Sequence, residues 1–231
     1  MYEKTVQVPQ AGWKLSSLFH ELQEASGEAS AFWHASGEDM AVHGLMWVVV
    51  RYEAVFARPI LPGESLTVGT WAQPFRHMMS QRNYILSDQQ GKTVLTAAGI
   101  WTIVDRSTRK MVEPSVFPVS FPPEAAEYSV NRPKAPEKTA LLHHGTYIVQ
   151  PVDLDTNMHM NNTRYFDLVE NLFGNEAAER QIQTVRAAYL NEARLGDRIV
   201  YQWGNDNNLL YFFGKIKDSS CFEISIRYQS V

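Results

Sequence analysis

The chain has a single cysteine among its 231 residues, Cys221. It therefore forms no internal disulfide and offers no multi-thiolate zinc site, so a reducing compartment is expected and no metal is called for. Long apolar runs are also missing: the longest, Leu45 to Val50, is far too short to cross a bilayer. The opening stretch MYEKTVQVPQAG lacks both the apolar core of a signal peptide and the Arg- and Ser-rich look of a transit peptide, so the expected location is cytoplasmic. Positive charge is not in excess. A formal net charge of -4 supplies no electrostatic footprint for nucleic acid. Low-complexity tracts are absent, and with 45% apolar and 20% charged residues the composition is that of a chain that buries a core.

What is present falls into two halves. Six of the eleven prolines lie between Pro114 and Pro136, in a stretch without sustained periodicity. It reads as a linker. The expected organisation is a first unit over residues 1–113, a Pro-rich linker over 114–143 and a second unit over 144–231. In the first half, Leu15, Leu18, Phe19, Leu22, Ala25 and Ala29 give Trp13 to Ala35 a helical pattern. Strands follow at Leu45 to Phe56, Glu64 to Trp71, Gln81 to Leu86 and Thr93 to Val104, rich in valine and aromatics and parted by turn residues such as Asp88 to Gly91.

The second half repeats that order. A strand from Thr146 to Val152 leads to a helix from about Asn161 to Phe173, then to strands near Thr184 to Leu190, Arg198 to Trp203, Leu209 to Ile216 and Phe222 to Gln229. Gly63-Glu64 before one strand is echoed by Gly196-Asp197 before another. A helix that follows one strand and precedes four antiparallel ones buries its apolar face only by lying across their sheet. The expected class is α+β: two tandem hot-dog units, each an antiparallel sheet wrapped around a long helix. The alternative is a pair of independent antiparallel α+β domains.

Chemistry concentrates in Asp153-Leu154-Asp155-Thr156-Asn157-Met158-His159-Met160-Asn161-Asn162, just ahead of the second helix. One reading is an Asx-rich turn that caps the helix. The other is a site in which a carboxylate, an amide and an imidazole at alternate positions, Asp155, Asn157 and His159, converge beside helix N–H groups suited to an oxyanion. Other signals are discounted. Gly91-Lys92-Thr93 lacks the earlier glycine of a phosphate loop, His143-His144 has no neighbouring ligands, and Asn161-Asn162-Thr163 is a sequon that a cytoplasmic chain does not use.

The string DLDTNMHMNN, followed by Thr163-Arg164-Tyr165-Phe166, resembles the active-site segment of plant and bacterial acyl-acyl-carrier-protein (acyl-ACP) thioesterases. Trp47 ahead of Arg51, Pro62-Gly63-Glu64 leading to Thr70-Trp71, Arg82, Asp88-x-x-Gly91, Trp101 and Asp105-Arg106-x-Thr108-Arg109 extend the likeness in order over nearly the whole chain. The resemblance implies a double hot-dog hydrolase that needs no cofactor and takes fatty acyl-ACP as substrate and partner. Asp155, Asn157 and His159 would then be catalytic. Glu192 would join them, with Ala193 standing where the plant enzymes have cysteine, and Cys221 is too far along the chain to replace it. The first half, which lacks the motif, would shape an acyl tunnel, with Trp33, Trp47, Met78, Met79 and Trp101 as lining. Arg106, Arg109 and Lys110 are the expected docking patch for an acidic carrier. The alternatives are an acyl-CoA thioesterase, a hot-dog enoyl-thioester hydratase and a non-catalytic acyl-binding protein. A homodimer is admitted, with no residue assigned to it.

Overall fold

In the computed structural model, residues 1–117, 119–122, 127–135, 143–178, 181–206 and 208–229 are described, with 173–178 described at the backbone only. The periodic apolar positions of the first half build α1 (Leu15–Ala31), and its Leu15, Leu18, Phe19, Leu22, Ala25 and Ala29 are all buried. Lys14 gives that helix no side-chain cap; instead Glu170 accepts a hydrogen bond from the Leu15 N–H at 2.8 Å. Around α1 the chain forms β1 (Tyr2–Gln7), β2 (Leu45–Phe56), β3 (Ser65–Ala72), β4 (Met79–Ser87) and β5 (Thr93–Asp105), with a short α2 (Gly37–Val42) before β2. The second half forms β6 (His143–Ile148), α3 (Arg164–Ala178), β7 (Ile182–Tyr189), β8 (Arg198–Asp206), β9 (Leu209–Ile216) and β10 (Ser219–Tyr228).

The strands make one ten-stranded sheet in the order β1-β3-β4-β5-β2-β7-β10-β9-β8-β6. Every pairing is antiparallel. Outward from the β2–β7 seam the order is the same on both sides: second, fifth, fourth, third and first strand of each half. The Gly-acid echo is a structural equivalence. Gly63 and Gly196 both adopt positive φ, at 75° and 81°, a backbone region open to glycine. The Val8 N–H meets the Glu64 carbonyl at 2.9 Å, as the Val149 N–H meets the Asp197 carbonyl at 3.0 Å.

Contacts on both faces of the sheet join the halves. On the helix side, Phe19 of α1 stacks on Phe166 of α3 with ring centroids 4.3 Å apart, a pairing worth about 1 kcal/mol beyond its area. On the opposite face, Glu53 of β2 and Arg186 of β7 are register partners, joined at 2.9 Å. Asn131 adds backbone and side-chain donors to the same Glu53 carboxylate. Glu53 is 3% exposed, so loss of Arg186 leaves a buried charge without its counter-charge.

Several elements depart from the sequence expectations. Neither β1 nor α2 was expected, and α3 starts at Arg164 rather than near Asn161. β6 stops at Ile148, because Pro151 opens a 3-10 turn over Pro151–Asp153. Of the Pro-rich stretch, residues 118, 123–126 and 136–142 lie outside the described residues. Its Phe117 and Phe121 are buried in a second apolar cluster with Ala35, Met40, Leu45, Ala72 and Ile103. Tyr128 is hydrogen-bonded to the side chains of Asn83 and Gln81 on β4.

Candidate active site

The segment before α3 is held by its own Asx residues. The Asp153 carboxylate accepts from the Gln150 N–H at 2.7 Å and the Tyr147 hydroxyl at 2.8 Å. Asp155 Oδ1 accepts from the N–H groups of Asn157, at 2.8 Å, and His159, at 3.3 Å. The loop closes through the Asp155 N–H on the His159 carbonyl at 2.8 Å, with Met158 forced to a φ of 64° at its tip. Asn161 then occupies the start of α3: its side chain accepts from the Thr163 N–H and its carbonyl from the Arg164 N–H, both at 2.9 Å. The N–H groups of Thr163 and Arg164 are thereby taken.

The loop after β7 completes the arrangement. A bridge between His159 and Arg194, with the Met160 N–H on the Ala193 carbonyl at 2.8 Å, pins the Asx loop against it. This brings His159 Nε2 to 2.9 Å from Glu192 Oε2. Glu192 therefore partners the imidazole. Burial lowers the His159 pKa, Glu192 opposes the shift, and Arg109 adds to it. The imidazole is neutral near neutral pH, donating Nε2–H to Glu192 and keeping its lone pair on Nδ1.

Cations from both halves reach this pair. Arg194 lies 3.7 Å from Glu192, and Arg109, from the turn after β5, lies 3.4 Å from it. In that same turn Arg106 donates to Asn157 Oδ1 at 3.1 Å. Guanidinium only donates, so this bond fixes the Asn157 amide with its NH2 group free. The turn is preset by Asp105, whose Oδ1 accepts from the N–H and hydroxyl groups of Ser107 and Thr108. Those bonds hold the Asp105 carboxyl down at about 2. Lys110 is exposed.

Asp155, Asn157, His159 and Glu192 line one cavity of about 140 Å3, together with Trp47, Asn162, Tyr165 and Tyr189. The Tyr189 hydroxyl is buried and has no hydrogen-bond partner among the described residues. Trp47 also lines a second cavity, of about 170 Å3, with Trp101. Trp33 lines a third, of about 290 Å3. Met78 and Met79 line none of the three, and Met79 is 37% exposed at the start of β4. Cys221 lies closer than its sequence distance suggested: its thiol contacts the Asn191 carbonyl at 3.2 Å and the Tyr165 hydroxyl at 3.4 Å. Burial pushes the thiol up to about 11, so it holds no thiolate.

Sequence reasoning had no means of finding Arg194 or Tyr189 and gave Arg106 and Arg109 a surface role. The available signal was Asp105 followed by Ser107 and Thr108, which predicts a side-chain-closed turn but not its destination. Among the described residues no cluster of His, Cys, Asp and Glu is disposed to hold a metal ion, and no helix is long and apolar enough to cross a membrane.

Comparison with known proteins gives two family matches: the acyl-ACP thioesterase N-terminal domain over residues 9–115 and the acyl-ACP thioesterase C-terminal domain over residues 137–229. A chloroplastic palmitoyl-acyl carrier protein thioesterase of Cuphea hookeriana is 28% identical over 138 residues, 55% of this chain and 33% of its own. The chain thus spans about a third of the length of that relative. An acyl-ACP thioesterase structure from Bacteroides thetaiotaomicron superposes with a TM-score of 0.85 at 18% identity, covering 99% of this chain and 97% of that one. The 12:0-ACP thioesterase from Umbellularia californica gives 0.80 at 16% identity, with 99% and 96% covered. These likenesses show the fold, while the two domain matches, in chain order and reaching from residue 9 to residue 229, show that the chain belongs to the acyl-ACP thioesterase family.

Proposed function

We propose that the protein hydrolyses the thioester of fatty acyl-ACP, releasing the free fatty acid. One observation carries this reading: a neutral, buried imidazole is paired with Glu192 in the wall of a cavity that Asp155 and Asn157 also line. The two halves are read as tandem hot-dog units, the second holding the catalytic residues and the first shaping the acyl pocket. Their matching strand order supports that division.

Hydrolysis requires a base for water, a donor for the oxyanion and a proton for the departing thiolate. His159, through Nδ1, removes the proton from water as the oxygen attacks the thioester carbon, and Glu192 steadies the imidazolium. The Asn157 NH2 and the Tyr189 hydroxyl, neither of which has an acceptor among the described residues, are donors for the oxyanion. Collapse expels the thiolate, which takes the proton back from His159. Asp155 then acts by shaping the loop.

Asp155 has a second carboxylate oxygen with no hydrogen bond among the described residues, and it lines the cavity. A covalent route, with Asp155 attacking to form a mixed anhydride, uses that oxygen. Single turnover in heavy-oxygen water bears on the choice: label in the Asp155 peptide means covalent catalysis, and label in the fatty acid alone means that water attacks the acyl carbon. Thiol release from acyl-ACP and acyl-CoA tests the reaction itself. Absence of release from both would overturn the reading.

The acyl chain is read as passing Trp47, which walls both the catalytic cavity and the one lined by Trp101. Met78 and Met79 drop out of the proposed lining. For carrier docking, Arg106 and Arg109 are engaged by Asn157 and Glu192. Lys110 is the member of the expected patch left to meet an acidic carrier.

A further inference from the structure

Away from the catalytic cavity, α1 presents a polar stripe to the sheet. Ser26 and Ser30, four residues apart on one face, meet Tyr84 and Arg82, two apart on one face of β4. Ser26 Oγ and the Tyr84 hydroxyl are 2.7 Å apart, and Arg82 Nη2 donates to Ser30 Oγ at 2.8 Å. That is the one hydrogen bond Arg82 makes among the described residues. The residue is 7% exposed, and among the described residues no carboxylate contributes to its electrostatic surroundings. Its other contact is the Phe121 ring, 5.9 Å from the guanidinium carbon. Burial lowers the arginine pKa. A guanidinium nevertheless stays charged in a protein.

Arg82 lines two cavities, of about 290 Å3 and about 170 Å3, with Ala72 and Phe121 shared between them. Each exceeds the roughly 150 Å3 cavity that takes up a benzene ring. The smaller is also lined by Trp101, whose buried indole N–H lies near the Tyr84 hydroxyl but makes no well-formed hydrogen bond among the described residues. Two donors, one of them a cation, thus border a space whose walls include the rings of Trp47 and Phe121 and the side chains of Ser30 and Ser80. Buried charges are ordinarily paired. Here, among the described residues, the guanidinium has a hydroxyl acceptor but no carboxylate, and the aromatic walls suit hydrocarbon.

We propose that the cavities flanking Arg82 bind an aliphatic carboxylate, with the Arg82 guanidinium and the Trp101 N–H holding its oxygens and Phe121 and Trp47 covering its chain. The carboxylate has two sources, both resting on the hydrolase reading: the free fatty acid product, or the far end of an acyl chain that carries an ω-carboxylate.

Calorimetric titration of the full chain with octanoate and with 1-octanol tests the site without reference to turnover. Octanoate should bind at least about tenfold more tightly, and Arg82→Met should abolish that preference while octanol still binds. Equal affinities in the unmodified protein, or a preference that survives Arg82→Met, would overturn the proposal. Thermal melting without ligand is a second check: exchange of an unpaired buried cation for an apolar side chain should hold or raise Tm. A fall in Tm would make Arg82 structural and also overturn the proposal. Octanoate inhibition of thioester hydrolysis that Arg82→Met relieves identifies the product as the source. Selective loss of ω-carboxyacyl over methyl-ended acyl hydrolysis in the same variant identifies the substrate terminus. Failure of all hydrolysis would sink the enzymatic reading and leave the octanoate titration standing.

Discussion

Arg109 Nη1 stands 3.4 Å from Glu192 Oε1, although 83 residues separate the two along the chain. The contact crosses from the first half to the second and places a fixed cation beside the His159–Glu192 pair. We propose that a residue so placed acts on the chemistry. Arg109→Ala is expected to lower kcat about tenfold to a hundredfold, alike on acyl-ACP and acyl-CoA. Lys110→Glu is expected to raise KM for the protein carrier alone. Steady-state kinetics on both substrates check this, and an Arg109→Ala effect confined to KM for acyl-ACP would reverse the assignment.

The histidine gives a signed pH dependence. Its folded pKa lies below the ordinary 6.5 because of burial, with Glu192 pulling it up and Arg109 pushing it down. kcat/KM should therefore rise with pH through a midpoint below 6.5. Glu192→Gln should move that midpoint lower and Arg109→Met should move it higher. Stability follows the same sign: a depressed histidine contributes fully above its unfolded pKa and the contribution is lost as pH falls through the folded value. An NMR titration of the His159 ring in the three proteins reads all of this directly.

Much of the framework was legible because strand chemistry is local. Leu45–Phe56 and Leu209–Ile216 have the bounds their valine and aromatic content predicts. β1 escaped notice because only Val6 of its YEKTVQ is buried, so its pattern carries little apolar contrast. α2 is six residues long, too short for periodicity, and its one signature is the Ser36–Asp39 capping box. The same division holds at the site. Asp155, Asn157 and His159 stood in one string, and Glu192 came through the family resemblance. Arg109, Arg194 and the unpartnered Tyr189 hydroxyl depend on how the halves pack, which no local pattern reports.

Tyr189 supplies a third prediction. Its hydroxyl is buried, unpartnered and part of a residue lining the catalytic cavity. Tyr189→Phe removes one oxygen and should lower kcat by about a hundredfold, leaving the His159 titration and Tm near their parental values. Unchanged kcat would assign the hydroxyl to packing and leave Asn157 as the oxyanion donor.

Glu170 links α3 to the start of α1, and burial raises its pKa above the ordinary 4.5. A carboxyl with a raised folded pKa contributes stability that is fully present below its unfolded pKa and is lost as pH rises through the folded value. Glu170→Gln keeps an acceptor for the Leu15 N–H and cannot ionise. Its Tm relative to the parent should accordingly increase between about pH 4 and about pH 8. A Tm difference that does not change with pH would mean the carboxylate is stabilised in place by the start of α1.

The central claim is that His159, positioned by Glu192, performs the proton transfer of thioester hydrolysis. Thiol release from acyl-ACP by His159→Ala, under single-turnover conditions and alongside a melting curve, tests it most directly. The account predicts a loss of about a thousandfold or more with the cooperative unfolding transition retained. Turnover within a few-fold of the parental protein would contradict it and reduce the Asx-rich loop to a helix cap.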